Sequence, residues 1–104
     1  MRIFFDIDGT ICQTEKIDGA WDYRNSAPIQ SRISHINTLY DEGHEIHYWT
    51  ARGSSSGIDW TEFTQKQLES WGCKFTSVST GKPSFDMYIC DKSFNSEEYF
   101  KENL

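Results

Sequence analysis

The sequence lacks the features of a secreted or membrane-embedded protein. Its three cysteines are odd in number and show no C-x-x-C spacing, which is typical of a protein in a reducing compartment. No apolar stretch approaches the length of a transmembrane helix, and the N-terminal stretch is too short and too acidic for a signal peptide. We therefore expect a cytoplasmic protein that does not contact membranes.

Positive charge is also scarce. The chain has 10 basic and 16 acidic residues, a net charge of −6, and no cluster of Lys and Arg. Such a charge balance argues against extended contact with nucleic acid. A small phosphorylated ligand remains compatible with it, because a bound metal ion can offset the acidic charge locally.

The length bounds the fold to one domain. A chain of 104 residues is at the small end of what a single apolar core supports, and it contains no internal repeat or low-complexity segment. Apolar residues make up 37% of the chain and aromatic residues 15%, so Phe, Tyr and Trp must supply much of the core. We expect a single domain over residues 1–104.

The first chemically informative stretch covers residues 3–10, IFFDIDGT. An apolar run that ends in turn residues predicts a strand buried on both faces. If the strand ends near Gly9, Asp6 and Asp8 lie at its carboxyl end, where open α/β sheets bind ligands. Two carboxylates there suggest a divalent metal and a carboxylate nucleophile. The stretch by itself is equally compatible with a strand followed by an ordinary Asp-Gly turn.

Helix and strand patterns alternate along the rest of the chain. Residues 11–25 are polar and predict a loop or loose hairpin that can fold over the two aspartates. The further predicted elements are a helix that opens at Ser26 and stops at Gly43, a strand at 45–49, a helix with Trp60, Phe63, Leu68 and Trp71 on its apolar face, strands at 74–79 and 87–90, and a helix at 95–104. This order predicts an α/β fold with a mostly parallel, doubly wound sheet.

Polar side chains converge on one rim of such a sheet. Asp6, Asp8, Thr50, Lys82 and Asp91 all lie at, or just before, predicted boundaries between strands and loops. The carboxyl ends of parallel strands meet at the same edge, so we expect the residues that follow strands to lie close together. This convergence indicates a functional site more strongly than any one motif.

In these motifs the chain resembles the haloacid dehalogenase (HAD) superfamily of phosphotransferases over nearly its whole length. The four motifs of the family appear in order as Asp6-Ile7-Asp8-Gly9-Thr10, Thr50 after a hydrophobic strand, Lys82 before the last core strand, and Asp91 after that strand. The resemblance implies a three-layer α/β/α sandwich with a Rossmann-like sheet and no cap domain, in which residues 11–25 form at most a flap-like insertion. In one departure, Cys90 stands where many relatives have a further acid before Asp91.

The resemblance also implies an activity. It implies a Mg²⁺-dependent phosphomonoester hydrolase that acts on a small phosphorylated metabolite, such as a sugar phosphate, through an aspartyl-phosphate. Asp6 would be the nucleophile and Asp8 the general acid, a role that needs a raised pKa. Thr50 and Lys82 would bind the phosphoryl group. Asp6, Asp91 and the backbone carbonyl of Asp8 would hold the metal.

Several interpretations stay open at this point. Arg52 could hold a substrate phosphate or carboxylate through its planar fork, or form a salt bridge within its loop. The aromatic residues Trp21 and Tyr23 could face the substrate or pack within the flap. Two other functions compete: a catalytically weak module that binds or senses a phosphorylated ligand, which Cys90 keeps open, and a nucleic-acid end phosphatase. A homo-oligomer in which one subunit supplies a lid to its neighbour is also compatible with a capless fold.

Overall fold

A three-stranded parallel sheet with strand order β1-β6-β7 forms the centre of the molecule. The structure is a computed structural model and describes the whole chain, residues 1–104. The strands are β1 (Arg2–Phe5), β2 (Cys12–Gln13), β3 (Lys16–Ile17), β4 (Ala20–Trp21), β5 (Ala27–Pro28), β6 (Glu45–Trp49) and β7 (Ser77–Ser79), and the helices are α1 (Gln30–Asp41), α2 (Thr61–Ser70) and α3 (Ser96–Asn103). The α/β class and the parallel sheet are confirmed, and no cap is evident. None of the helices is both long and apolar enough to cross a membrane.

The apolar core lies between the sheet and the helices. In β6, Ile46 and Tyr48 are fully buried and alternate with more exposed neighbours, as the two-residue period of a strand requires. A fully buried aliphatic side chain such as that of Ile46 stabilises the fold by about 1.5–3 kcal/mol. The helices contribute Ile33 and Ile36 from α1, Leu68 from α2 and Phe100 from α3.

Strand β1 is buried on one face only. Phe5 belongs to the core, whereas Phe4 is 56% exposed and stacks on His47 with ring centroids 4.9 Å apart. The buried apolar residues of the helices all belong to the same core cluster as Phe5, so no helical core covers the face that carries Phe4. The prediction of a strand buried on both faces is therefore wrong.

The first helix begins later than the sequence predicts. Ala27 and Pro28 form β5 and pair antiparallel with β2, so helix α1 begins at Gln30. The Ser26 hydroxyl does not cap the helix and instead shares a hydrogen bond of 2.6 Å with the Thr14 hydroxyl. The pairing of β2 with β5 joins the two ends of residues 11–25, the segment that we call the flap.

The predicted strand at residues 87–90 is not formed. Its residues are irregular, and Ile89 is 88% exposed. The edge of β1 that lies away from β6 has no hydrogen-bonded neighbour, because β1 pairs with β6 alone. A four-residue apolar run has no stability as a strand without a hydrogen-bonded neighbour. The third predicted strand forms only as the short β7.

Candidate active site at the end of β1

A tight turn follows β1 and directs two carboxylates into one cleft. β1 ends immediately before Asp6, and the chain turns at Gly9, whose φ of +79° favours glycine. The Gly9 amide donates to the Cys12 carbonyl at 2.9 Å and closes the turn. Asp6 and Asp8 consequently line the same cleft, which has a volume of about 930 Å³.

Asp6 has one cationic neighbour and remains partly open to the cleft. The Lys82 ammonium lies 3.6 Å from Asp6 Oδ1, and the Asp6 side chain is 41% exposed. Burial raises the pKa of Asp6, and the attraction to Lys82 offsets that rise only in part. Lys82 therefore compensates the negative charge of the Asp6 carboxylate only in part, and a second cation would compensate the remainder.

Backbone contacts bring Lys82 and Thr50 to this carboxylate. Thr50 follows β6, is buried, and its amide donates to the Ser79 carbonyl at 3.1 Å. The Lys82 amide donates to the Thr50 carbonyl at 3.3 Å, and the Ser54 hydroxyl donates to the Lys82 carbonyl at 2.6 Å. The parallel pairing of β1 with β6 thus places Asp6, Thr50 and Lys82 together, as the sequence predicts.

Asp8 is held in a bidentate ion pair. Arg52 Nε donates to Oδ2 and Arg52 Nη2 donates to Oδ1 of Asp8, both at 2.9 Å, and the Thr14 hydroxyl donates to Oδ1 at 2.5 Å. Burial raises the pKa of Asp8, but the Arg52 pair and the Thr14 hydrogen bond outweigh it, so the pKa is lowered overall. The general-acid role needs a raised pKa for Asp8, whereas without substrate the Arg52 pair and the Thr14 hydrogen bond hold this pKa below its usual value.

Arg52 is a buried structural partner and is not presented to the cleft as a free cation. The residue is 2% exposed, and its Nη1 donates to Gln67 Oε1 at 2.7 Å and to the Thr64 hydroxyl at 3.3 Å. With the two bonds to Asp8, four of the five N–H donors of a guanidinium are engaged. The centroid of the Tyr23 ring lies 4.7 Å from the guanidinium carbon. Of the two interpretations of Arg52, the structure shows the salt-bridged loop arginine.

Asp91 does not join the other acids. It lies in an exposed turn after the irregular residues 87–90, and no group of three or more His, Cys, Asp or Glu side chains is arranged to hold a metal. The physical reason is the missing strand, which would have aligned Asp91 with the ends of β1 and β6. The structure therefore assembles Asp6, Asp8, Thr50 and Lys82 and leaves Asp91 apart.

The remaining groups still fit a magnesium ion. Mg²⁺ commonly binds through one or two carboxylates, keeps several waters and takes its other ligands from substrate phosphate. Asp6 supplies a partly exposed carboxylate whose raised pKa reflects incomplete compensation of its charge. The backbone carbonyl of Asp8 is the second oxygen that the motif provides, whereas the Asp8 carboxylate is committed to Arg52.

The flap forms the far wall of the cleft. Trp21 of β4 is 51% exposed and lines the cleft, and the Lys16 ammonium lies 5.0 Å from its ring centroid. Tyr23 and Trp60 meet edge to face with ring centroids 5.0 Å apart. Polar side chains complete the lining, among them Gln13, Thr14, Glu15, Ser55, Ser56 and Ser84. Aromatic rings and side chains with hydroxyl and amide groups thus line the same cleft as the two aspartates.

Sequence reasoning missed the residues that hold Asp8 and Arg52. Thr14, Thr64 and Gln67 belong to no motif, and their side chains reach the site from the flap and from α2. Their local sequence carries no signal for this role, because the contacts exist only once α2 packs beside the loop that follows β6.

Comparison with known proteins supports the fold. No protein-family model matches this sequence, and no curated protein matches it. The chain is similar to a crystal structure of an MCSG target from Vibrio cholerae, with 24% identity over 94% of this chain and 85% of that chain and a TM-score of 0.77. At this identity the likeness shows a shared fold and does not extend to an activity.

Proposed function

We propose that this protein is a Mg²⁺-dependent phosphomonoester hydrolase of the HAD type that acts on a small phosphorylated metabolite, such as a sugar phosphate. The observation that carries the proposal is the pairing of the Asp6 carboxylate with the Lys82 ammonium at 3.6 Å, in a cleft that Asp8 and Thr50 also line. A carboxylate nucleophile, a cation for the phosphoryl group and a hydroxyl donor are what phosphoryl transfer needs.

The proposal of a HAD-like fold rests on the same residues as the proposed activity. The parallel order β1-β6-β7 and the absence of an evident cap support a capless HAD-like domain over residues 1–104. The three-layer α/β/α sandwich stays a prediction, because no helical core covers the Phe4 face of the sheet. A lid supplied by a neighbouring subunit likewise stays a prediction.

Asp6 performs the first chemical step in this proposal. One of its carboxylate oxygens attacks phosphorus in line and forms an aspartyl-phosphate, while the bond to the leaving oxygen breaks. The Lys82 ammonium stabilises charge on the phosphoryl oxygens. The Thr50 hydroxyl accepts a hydrogen bond from the Arg52 amide at 3.1 Å, so its proton is available to a phosphoryl oxygen. Mg²⁺, when bound by Asp6 and the Asp8 carbonyl, supplies charge neutralisation between carboxylate and phosphate.

Asp8 acts as the general acid in the first step and as the general base in the second. It protonates the leaving oxygen, and in the second step it takes a proton from the water that attacks the aspartyl-phosphate. The Arg52 pair favours the ionised form of Asp8 without substrate, which suits the second step. A bound phosphate dianion places negative charge beside Asp8, and this raises its pKa toward the protonated form that the first step requires.

A second candidate function has one observation in its favour. Asp91 lies apart from Asp6 and Asp8, and Cys90 precedes it in place of an acid, so the metal site has fewer protein ligands than the motif set implies. A weak metal site would leave a module that binds a phosphorylated ligand in the same cleft and turns it over slowly.

Phosphate release from a panel of phosphomonoesters tests the proposal. The panel contains sugar phosphates, p-nitrophenyl phosphate and 3′-phosphorylated oligonucleotides, each assayed with Mg²⁺ and with chelator. We expect release that requires Mg²⁺, is strongest on sugar phosphates and is lost in Asp6→Asn. Asp86→Asn, a change at an exposed residue outside the cleft lining, is the control and retains activity.

The outcomes separate the candidates. Release that is strongest on the oligonucleotides would identify a nucleic-acid end phosphatase. A folded wild-type protein that releases no more phosphate than Asp6→Asn would refute the hydrolase. Calorimetric titration with sugar phosphates would then decide whether the cleft binds without turnover.

A further inference from the structure

A continuous chain of hydrogen bonds joins the flap to Asp8 through two side chains. The Gln67 amide nitrogen donates to the Tyr23 carbonyl at 2.8 Å, and Gln67 Oε1 accepts from Arg52 Nη1 at 2.7 Å. Arg52 then donates twice to the Asp8 carboxylate, at 2.9 Å each. One end of the flap is thereby tied to the carboxylate through α2.

The other end of the flap is tied to the same carboxylate. The Thr14 hydroxyl donates to Asp8 Oδ1 at 2.5 Å and shares a hydrogen bond of 2.6 Å with the Ser26 hydroxyl. Asp8 is therefore linked to both ends of the flap, directly by Thr14 and, through Arg52 and Gln67, to Tyr23. The orientation of the carboxylate and the position of the flap are set by one network.

Burial makes this network stiff. The Arg52 side chain is inaccessible to solvent, and the Tyr23 ring lies against its guanidinium. A planar guanidinium that is bonded bidentately on one edge and held by Gln67 and Thr64 on the other has little rotational freedom. Gln67 fixes both the guanidinium and the flap backbone, so it is the residue on which the coupling depends.

We propose that Arg52 and Gln67 are positioning residues that fix the Asp8 carboxylate for its proton transfers and hold the flap against α2 in the same arrangement. The inference rests on the proposed hydrolase function and adds to it a positioning role for Arg52 and Gln67. It implies a dependence on the leaving group. A sugar or alkyl alkoxide must receive a proton as its bond to phosphorus breaks, whereas p-nitrophenolate leaves without one.

The test compares two substrates in matched variants. Gln67→Met breaks the link to the flap while it leaves the Arg52–Asp8 pair in place, and Arg52→Lys removes the bidentate geometry while it keeps the charge. Gln65→Met on the same helix is the control, because Gln65 is exposed and bonds only Glu69. General acid catalysis contributes about 10²–10⁴-fold, so we expect kcat/KM for a sugar phosphate to fall about tenfold in Gln67→Met and about 10²-fold in Arg52→Lys. With p-nitrophenyl phosphate, kcat/KM should change less than about threefold, because kcat/KM reports only the steps up to departure of the leaving group and p-nitrophenolate leaves without a proton.

A second measurement does not depend on activity. Amide hydrogen exchange across residues 14–25 should become faster in Gln67→Met and stay unchanged in Gln65→Met, because only the first variant releases the Tyr23 carbonyl. If the wild type is active and Gln67→Met lowers kcat/KM equally for both substrates, or for neither, the inference is overturned and the hydrolase function still stands. Unchanged flap exchange in Gln67→Met would overturn it as well. If Arg52→Lys fails to fold, Gln67→Met decides alone.

Discussion

Lys82 and Asp6 are far apart in the sequence and meet with the ammonium 3.6 Å from a carboxylate oxygen. The contact does not depend on the lysine side chain alone, since the Lys82 backbone is held by Thr50 and Ser54. The Trp49 ring, 5.7 Å from the ammonium, adds a cation–π contact. Lys82 is therefore pre-positioned beside the proposed nucleophile before any substrate arrives.

Replacement of Lys82 by Gln should lower kcat/KM for phosphate release by about 10²–10³-fold, as loss of a pre-positioned group that stabilises developing charge typically does. The fold should persist, because the backbone contacts of residue 82 are unchanged. Steady-state kinetics would measure the effect. Lys92→Gln, at an exposed turn, is the control, and an equal loss of activity in both variants would show that Lys82 has no special role.

Replacement of Asp6 by Asn should raise the melting temperature at pH 7 in chelator. Burial raises the folded-state pKa of Asp6, and such a group contributes stability below its unfolded pKa and loses that stability as the pH rises through its folded pKa. The ionised carboxylate thus destabilises the native state at neutral pH. The advantage of Asn should disappear below about pH 4, where the unfolded carboxyl is protonated as well.

Thermal unfolding followed by circular dichroism at both pH values would measure this difference, with Asp86→Asn as the control that shifts neither midpoint. Added Mg²⁺ should raise the midpoint of the wild type at pH 7 and not that of Asp6→Asn, because a ligand stabilises only a state that binds it. A wild type that is more stable than Asp6→Asn in chelator would contradict the prediction.

Truncation of Trp21 to Ala should raise KM for a sugar phosphate about tenfold with little change in kcat, since a contact made equally in ground and transition states affects binding alone. Trp21 lines the cleft from the flap and is half exposed. Ile17→Ala is matched to it, because Ile17 is equally exposed on the same hairpin but does not line the cleft. A normal KM in Trp21→Ala would assign Trp21 to flap packing.

Replacement of Gly53 by Ala should destabilise the protein far more than the same change at Gly57. Both glycines have positive φ, +84° and +76°, which costs an alanine about 1 kcal/mol. Only at Gly53 would the added Cβ collide with the carbonyl oxygen of Ile58, whereas the space at Gly57 is open. Urea unfolding should therefore show an extra loss of about 2 kcal/mol or more at Gly53. Equal losses of stability in the two variants would mean that the loop after Arg52 shifts to accommodate the added Cβ at no cost.

The local sequence pattern correctly predicted elements that have an alternating apolar pattern or a local capping residue. The strand at 45–49 is observed as Glu45–Trp49, and the predicted helix at 95–104 is observed as α3, with the Asn95 side chain accepting a hydrogen bond from the Glu97 amide at 2.9 Å. The end of β1, the end of β6 and the turn with Lys82 could likewise be located from sequence, since parallel strands bring their carboxyl ends to one edge.

Tertiary contacts decided what the pattern left open. The apolar run at 87–90 has the composition of a strand but pairs with no edge, so Asp91 is not carried to the site. Arg52 had two sequence-compatible roles, and the packing of α2 beside its loop assigns it to Asp8. The same contact lowers the pKa of Asp8.

The sequence by itself determined that Asp6, Asp8, Thr50 and Lys82 can meet at the end of the first strand, because motif spacing and strand periodicity are properties of the chain. The tertiary structure alone decided how those groups are paired. Whether a carboxylate meets a lysine, an arginine or solvent depends on side chains that distant elements supply, and no local pattern encodes that neighbour.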